Sequence, residues 1–305
     1  MTKILLALDG SAPSLIARDL VSGLSWPHGT VVHAIAAYDV AIDWTGGVGS
    51  TMDWIGDVED ATRDSLADTL SALTQPLVER GLKVRRHIVR GRAATAIIEN
   101  AAMFEADLIV TGSRGRGQLA SMLLGSVASE VAAHAGCPVL VARGPTVDRL
   151  LVATDGSDAA NAIAGRLDEW TVFRGNNADV VAVSVPDSPA FELMVGLYTL
   201  GDERLEAMRK EVVDQARTAA ETMAERLAAA GVEATTHVLK GDPAHEILAA
   251  AADHGSDLIV TASRGLGGIA GLLLGSVARN VLMHARCSVL IVRDGVATNP
   301  TREEL

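Results

Sequence analysis

Short runs of aliphatic and β-branched residues at 3–8, 30–37, 82–89, 107–111 and 138–143 read as buried strands. Near-continuous apolar runs of this length suit a parallel sheet covered on both faces. Between them the period lengthens. Leu66, Leu70, Leu73 and Leu77 recur about every 3.5 residues, as do Leu205, Met208, Val212, Ala216, Ala219, Met223 and Leu227, the spacing of one helix face. Residues 94–104 and 127–135 read as further helices. Strands alternating with helices predict right-handed βαβ crossovers and an α/β fold.

The pattern is written twice. At an offset of 150, DLIVTGSRGRGQLASMLLGSVA (107–128) aligns with DLIVTASRGLGGIAGLLLGSVA (257–278), with 16 of 22 positions identical. Near the start the offset is 146, where LLALDGS answers LVATDGS, so a four-residue length difference falls in between. The duplication predicts two Rossmann-like domains in tandem, 1–145 and 146–294, followed by a tail at 295–305 expected to be disordered.

In a doubly wound sheet the ligand crevice opens beyond the carboxyl ends of the strands, where the winding reverses. The first strand of each half ends in Asp9-Gly10-Ser11 or Asp155-Gly156-Ser157. The fourth ends in Gly112-Ser113-Arg114-Gly115 or Ala262-Ser263-Arg264-Gly265, followed after nine residues by Gly125-Ser126 or Gly275-Ser276. Glycines let a backbone approach an anion closely and adopt positive φ. The free amides and positive dipole end of the next helix point at that charge. Ser126 and Ser276 can cap the helix or donate to a phosphate oxygen, and Arg114 and Arg264 add charge-assisted hydrogen bonds. Short glycine patterns often only make turns, and an Asp-Gly-Ser before a helix is an ordinary start signal. Here the whole arrangement lies between a strand and a helix and recurs with its arginines and serines. Ala262 departs from it: an Ala at positive φ costs roughly 1 kcal/mol, so the second site is expected to bind more weakly.

Gly112-x2-Gly115-x9-Gly125-Ser126, with Asp9 after the first strand, resembles the ATP-binding branch of the universal stress protein family, and the resemblance covers nearly the whole chain as two domains. It implies five parallel strands in the order 3-2-1-4-5 with helices on both faces, and ATP accompanied by Mg²⁺ as the ligand. By the same resemblance, adenine lies near Ala7 and Ala34, with Ala153 and Val183 in the matching places of the second half. Asp9 and Asp155 fall on the ribose and phosphate side. Gly112, Ser113, Arg114, Gly115, Gly125 and Ser126 match the phosphate loop, as do Ala262, Ser263, Arg264, Gly265, Gly275 and Ser276. The resemblance further implies antiparallel pairing of the two fifth strands within the chain, and leaves dimerisation of the whole chain open.

Charge and composition narrow the partners. A net charge of −12 opposes nucleic acid and anionic membranes, and no apolar run approaches the ~20 residues of a bilayer span. Two cysteines, Cys137 and Cys287, and no basic-apolar leader lead to the expectation of a cytoplasmic protein. No histidine pair has metal-ligand spacing, so His87, His134, His237 and His284 are read as structural and no dedicated transition-metal site is expected.

The glycine-rich stretch 43–57 reads as a loop, a lid or a wandering segment, and its counterpart 186–201 differs in sequence. The first strand lacks a following G-x-G-x-x-G, which argues against a dinucleotide or flavin oxidoreductase. No GxxxxGK[ST] and no lysine in the turn appear, so a regulatory binding role is favoured over a hydrolase or phosphotransferase, which at most turns over slowly.

Overall fold

The computed structural model describes residues 1–39, 52–115, 124–173, 176–184, 202–264 and 274–293. The chain divides into two compact units, Met1–Pro145 and Thr146–Leu305. The first runs β1 (Lys3–Ala7), α1 (Ala12–Gly23), β2 (Val31–Tyr38), α2 (Met52–Glu79), β3 (Lys83–Arg90), α3 (Ala93–Phe104), β4 (Leu108–Gly112), α4 (Ser126–His134) and β5 (Val139–Ala142). Every pairing in it is parallel, in the order β3-β2-β1-β4-β5.

The second unit repeats this with β6 (Arg149–Thr154), α5 (Asp158–Glu169), β7 (Asn177–Ser184), α6 (Asp202–Ala229), β8 (Glu233–Lys240), α7 (Pro243–Asp253), β9 (Leu258–Ala262), α8 (Ser276–His284) and β10 (Ser288–Val292). Its order is β8-β7-β6-β9-β10, again parallel throughout.

The apolar runs form strands because both faces are covered. Ile4, Leu5 and Leu6 are all fully buried although they alternate sides, and all five residues of β4 are buried. β3, at the edge, carries Lys83, Arg85, Arg86 and Arg90 and is far more exposed, which discourages a foreign strand from pairing there. In each unit the first two helices pack together, as do the last two, placing one pair on each face of the sheet. Each Leu buried between sheet and helix contributes about 1.5–3 kcal/mol.

The helix starts follow from local chemistry. Ser11 and Ser157 cap α1 and α5 by accepting from Ser14 N and Ala160 N, and Asp242 caps α7 by accepting from His245 N. β1 lies between β2 and β4, so its neighbouring crossovers leave in opposite directions and a crevice opens at the carboxyl ends of β1 and β4.

Two expectations change. Residues 52–57 belong to α2 rather than to a loop; the rest of the 43–57 stretch, the 186–201 segment and the tail lie outside the described residues. Strand register also locates the length difference. Val31 pairs with Lys83 as Asn177 pairs with Glu233, so β2 and β7 correspond at an offset of 146 and β3 and β8 at 150. The extra four residues therefore fall between the second and third strands. Among the described residues, no helix is long and apolar enough to cross a membrane.

Candidate functional site

The loop after β1 is set by its own sequence. Gly10 adopts φ 76° and Gly156 φ 77°, a left-handed conformation that a side chain would oppose. The resulting turn lets Asp9 Oδ1 accept from Ser11 N at 2.9 Å and from Ser11 Oγ at 2.6 Å. Asp155 Oδ1 accepts from Ser157 N at 3.0 Å. Each aspartate thus holds its loop rigid at a strand end. Asp9 is half-buried, whereas Asp155 is exposed.

The loop after β4 comes to the same place. A Cβ added to Gly115 would lie 2.9 Å from Asp9 Oδ2, so the carboxylate faces bare backbone across the crevice. Gly125 N donates to Ser113 O at 2.7 Å, and Gly275 N donates to Ser263 O at the same distance, tying the strand end to the helix start in each unit. Gly125 and Gly275 are the N-caps of α4 and α8, and neither helix has a side-chain cap bond. The first-turn amides of Ser126, Val127 and Ala128 have no acceptor within their helix, which leaves a positive, donor-rich end beside Asp9 and Gly115.

Several expected roles shift. Gly112, Gly115, Gly125 and Gly275 are not at positive φ; the first three sit where another backbone or side chain comes close, whereas a Cβ at Gly275 would make only ordinary contact, 3.4 Å from Ser263 O. A Cβ on Gly112 would run into the Pro13 carbonyl and sit 2.7 Å from Ser14 N. At the equivalent place in unit 2, Ala262 is an extended, buried β9 residue, and Ala159 stands where unit 1 has Pro13. The expected conformational penalty at Ala262 is therefore absent, and with it the argument for weaker binding in unit 2.

Ser126 and Ser276 are exposed first residues of their helices, not caps. Ser113 and Ser263 are buried, and their amides donate to Ala142 O and Val292 O, which latches each loop to the neighbouring strand. Arg114 and Arg264 are exposed at the loop. Gly265 lies outside the described residues.

The adenine side needs re-registering. Ala34 is fully buried and pairs with Leu6 in mid-strand, so it does not line the crevice; Ala36 and Ala37 lie nearer the carboxyl end of β2. Val183 corresponds to Ala37, and Ala34 corresponds to Val180. Ala7 is half-buried and ends β1, and Ala153 is buried one residue before the end of β6; each lies two residues before its aspartate.

The histidines divide. His134 and His284 sit in the last turns of α4 and α8, where a positive or donor group favours the helix dipole, and His284 Nδ1 donates to Asn280 O at 2.9 Å. His33, His87 and Phe104 stack, with ring centroids 4.3–5.2 Å apart. Burial, then the nearby His87, Arg85 and Lys3, lower the His33 pKa to about 4; burial and Arg85 lower that of His87. In unit 2 the fold gathers Asp179, His237 and His254, a cluster that sequence spacing alone does not suggest. Only matching His33 with Asp179 and Phe104 with His254 across the repeat would have drawn attention to it.

The profile of the Universal stress protein family matches residues 1–143 and again 146–293. The universal stress protein Rv2005c of Mycobacterium tuberculosis is 31% identical over 249 residues, covering 77% of this chain and 78% of its own. A universal stress protein of Mycolicibacterium smegmatis is 28% identical over 315 residues, covering 95% and 96%. The crystal structure of a universal stress protein from Archaeoglobus fulgidus matches with a TM-score of 0.65 at 21% identity, over 95% of this chain and 98% of that one, a likeness of fold. With two complete matches in series and relatives aligned along most of its length, the chain belongs to the universal stress protein family as a tandem of two family domains.

Proposed function

We propose that each unit binds an adenine nucleotide, ATP with Mg²⁺ carried on its phosphates, and that occupancy serves as a regulatory signal in a stress or growth-arrest response. The observation that carries this reading is the facing of the Asp9 carboxylate and bare Gly115 backbone beside the uncapped amino end of α4. A polyphosphate suits that donor-rich end. A carboxylate does not; it suits the ribose hydroxyls, which donate. The two groups thus divide one nucleotide between them, sugar toward the β1 loop and phosphates toward α4. Asp155 and α8 offer the same pair of functions in unit 2.

The reading is tested by denaturing freshly purified protein and identifying what is released. Two adenine nucleotides per chain are expected. Asp9→Ala and Gly115→Val are expected to cut the content to about one with the fold intact. Unchanged content in both variants rejects the site. No lysine or water-orienting base stands at the described loop residues, so phosphate release is expected far below the ~10 s⁻¹ of ordinary enzymes. A rate near that value would instead support a hydrolase.

A further inference from the structure

We propose that unit 2 carries a divalent transition-metal site, of zinc type, formed by Asp179, His237 and His254. The site is separate from the nucleotide crevice and does not rest on it. Asp179 is five residues, about 17 Å, from the carboxyl end of β7, and His237 is three residues from that of β8.

The geometry converges on the carboxylate. His237 Nε2 lies 3.2 Å from Asp179 Oδ1, and His254 Nδ1 lies 3.2 Å from Asp179 Oδ2. One ligand atom from each of the three residues falls within 4.8 Å of the others, the spread that a single ion with bonds of about 2.0–2.2 Å draws together by small side-chain rotations. The His254 contact is near but misdirected: Nδ1 is buried and makes no hydrogen bond. A buried ring nitrogen in that state is costly, and a cation would satisfy it.

The surroundings resemble the support such ligands need. Asp179 and Thr235 are paired across β7 and β8, and Thr235 Oγ1 donates to Asp179 Oδ1 at 2.7 Å, fixing the carboxylate. All three residues are partly exposed, so solvent reaches the cluster.

The repeat supplies an internal comparison. At the equivalent positions unit 1 has His33, His87 and Phe104. Two of these three differ in unit 2: Asp179 puts a carboxylate in place of an imidazole, and His254 puts a ligating ring nitrogen where Phe104 has none. In unit 1 the same place is an aromatic stack with a His33 Nδ1 to His87 Nε2 contact at 3.1 Å, and the phenyl ring offers no lone pair. A need for packing alone is met by that stack. The carboxylate between two imidazoles matches the donor set of borderline divalent ions such as zinc, cobalt or nickel.

The test is titration of the chelator-treated, nucleotide-free full chain with Co²⁺ and Zn²⁺, followed by visible absorption and calorimetry. One Co²⁺ per chain with ligand-field bands, displaced by Zn²⁺, is expected. Asp179→Asn, nearly isosteric, and His254→Phe, which gives unit 2 the residue of unit 1, are expected to weaken binding at least ~100-fold, beyond the loss of a supporting hydrogen bond. His87→Gln in unit 1 is expected to bind as the parent. Near-ultraviolet circular dichroism reports whether each variant keeps its packing. Absence of Co²⁺ uptake by the parent overturns the proposal, as does parent-like affinity in folded Asp179→Asn.

Discussion

At the scale of single residues, Gly10 and Gly156 act through torsion, whereas Gly112, Gly115 and Gly125 act through space. Gly112 leaves β4 close to the first turn of α1, where Pro13 fixes the backbone, so a methyl group has nowhere to go. In unit 2 the methyl of Ala262 is accommodated at the same strand position, 6% exposed, next to a helix that starts without the proline. Gly112→Ala is therefore expected to destabilise unit 1 by about 1–3 kcal/mol through overpacking. Ala262→Gly removes a buried methyl without clash and is expected to cost no more than about 1 kcal/mol. Thermal unfolding of both variants checks this. A Gly112→Ala protein melting within about 1 °C of the parent would show that the α1 turn yields, and that the close approach imposes nothing.

At the scale of elements, the His33, His87 and Phe104 stack ties β2, β3 and α3 together with neutral imidazoles. His33 is 5% exposed, with His87 beside it and the cationic Arg85 and Lys3 near, so its protonated form is disfavoured in the fold and its pKa falls to about 4. In the unfolded chain the ring titrates near 6.5. Between those values the unfolded state binds more protons, so stability falls as the pH drops through that window and is fully present above it. The loss from His33 is at most about 3 kcal/mol. His33→Leu is expected to flatten the dependence of melting temperature on pH between about 7 and 5, whatever it does to the absolute value. A slope equal to that of the parent would place the titration elsewhere. This triad is hard to read from sequence because its members lie 54 and then 17 residues apart and meet only through β2–β3 register and the docking of α3. The strand-end motif is legible for the opposite reason: Asp9-Gly10-Ser11 and Gly112-Ser113-Arg114-Gly115 are each contiguous in the chain.

At the scale of the whole molecule, what the sequence makes legible is the repeat and its buried strands, since a parallel sheet demands apolar residues at both parities and the duplicated copy demands them again. What escapes is anything that depends on where the register changes between copies. Ala34 and Val183 are matched at an offset of 149, whereas the strands align at 146, and the four-residue step hides in a stretch with no shared pattern. The same step separates Asp179 from His237 and His254: the latter two match His87 and Phe104 at the offset of 150, and only the equivalence of Asp179 to His33, at 146, emerges from strand pairing. With two copies of one cradle, nucleotide binding has a signature by region. A ligand that binds only the folded state adds about 2.7 kcal/mol of stability at a hundredfold excess over Kd, and amide exchange reports it unit by unit. In the parent, MgATP is expected to slow exchange in β1 and α4 of unit 1 and in β6 and α8 of unit 2. In Gly115→Val, the side chain meets Asp9 and fills the first cradle, so unit 1 is expected to exchange as if no nucleotide were added while unit 2 retains its protection. Equal protection of both units in that variant would mean that the glycine turn opposite Asp9 is not where the phosphates lie.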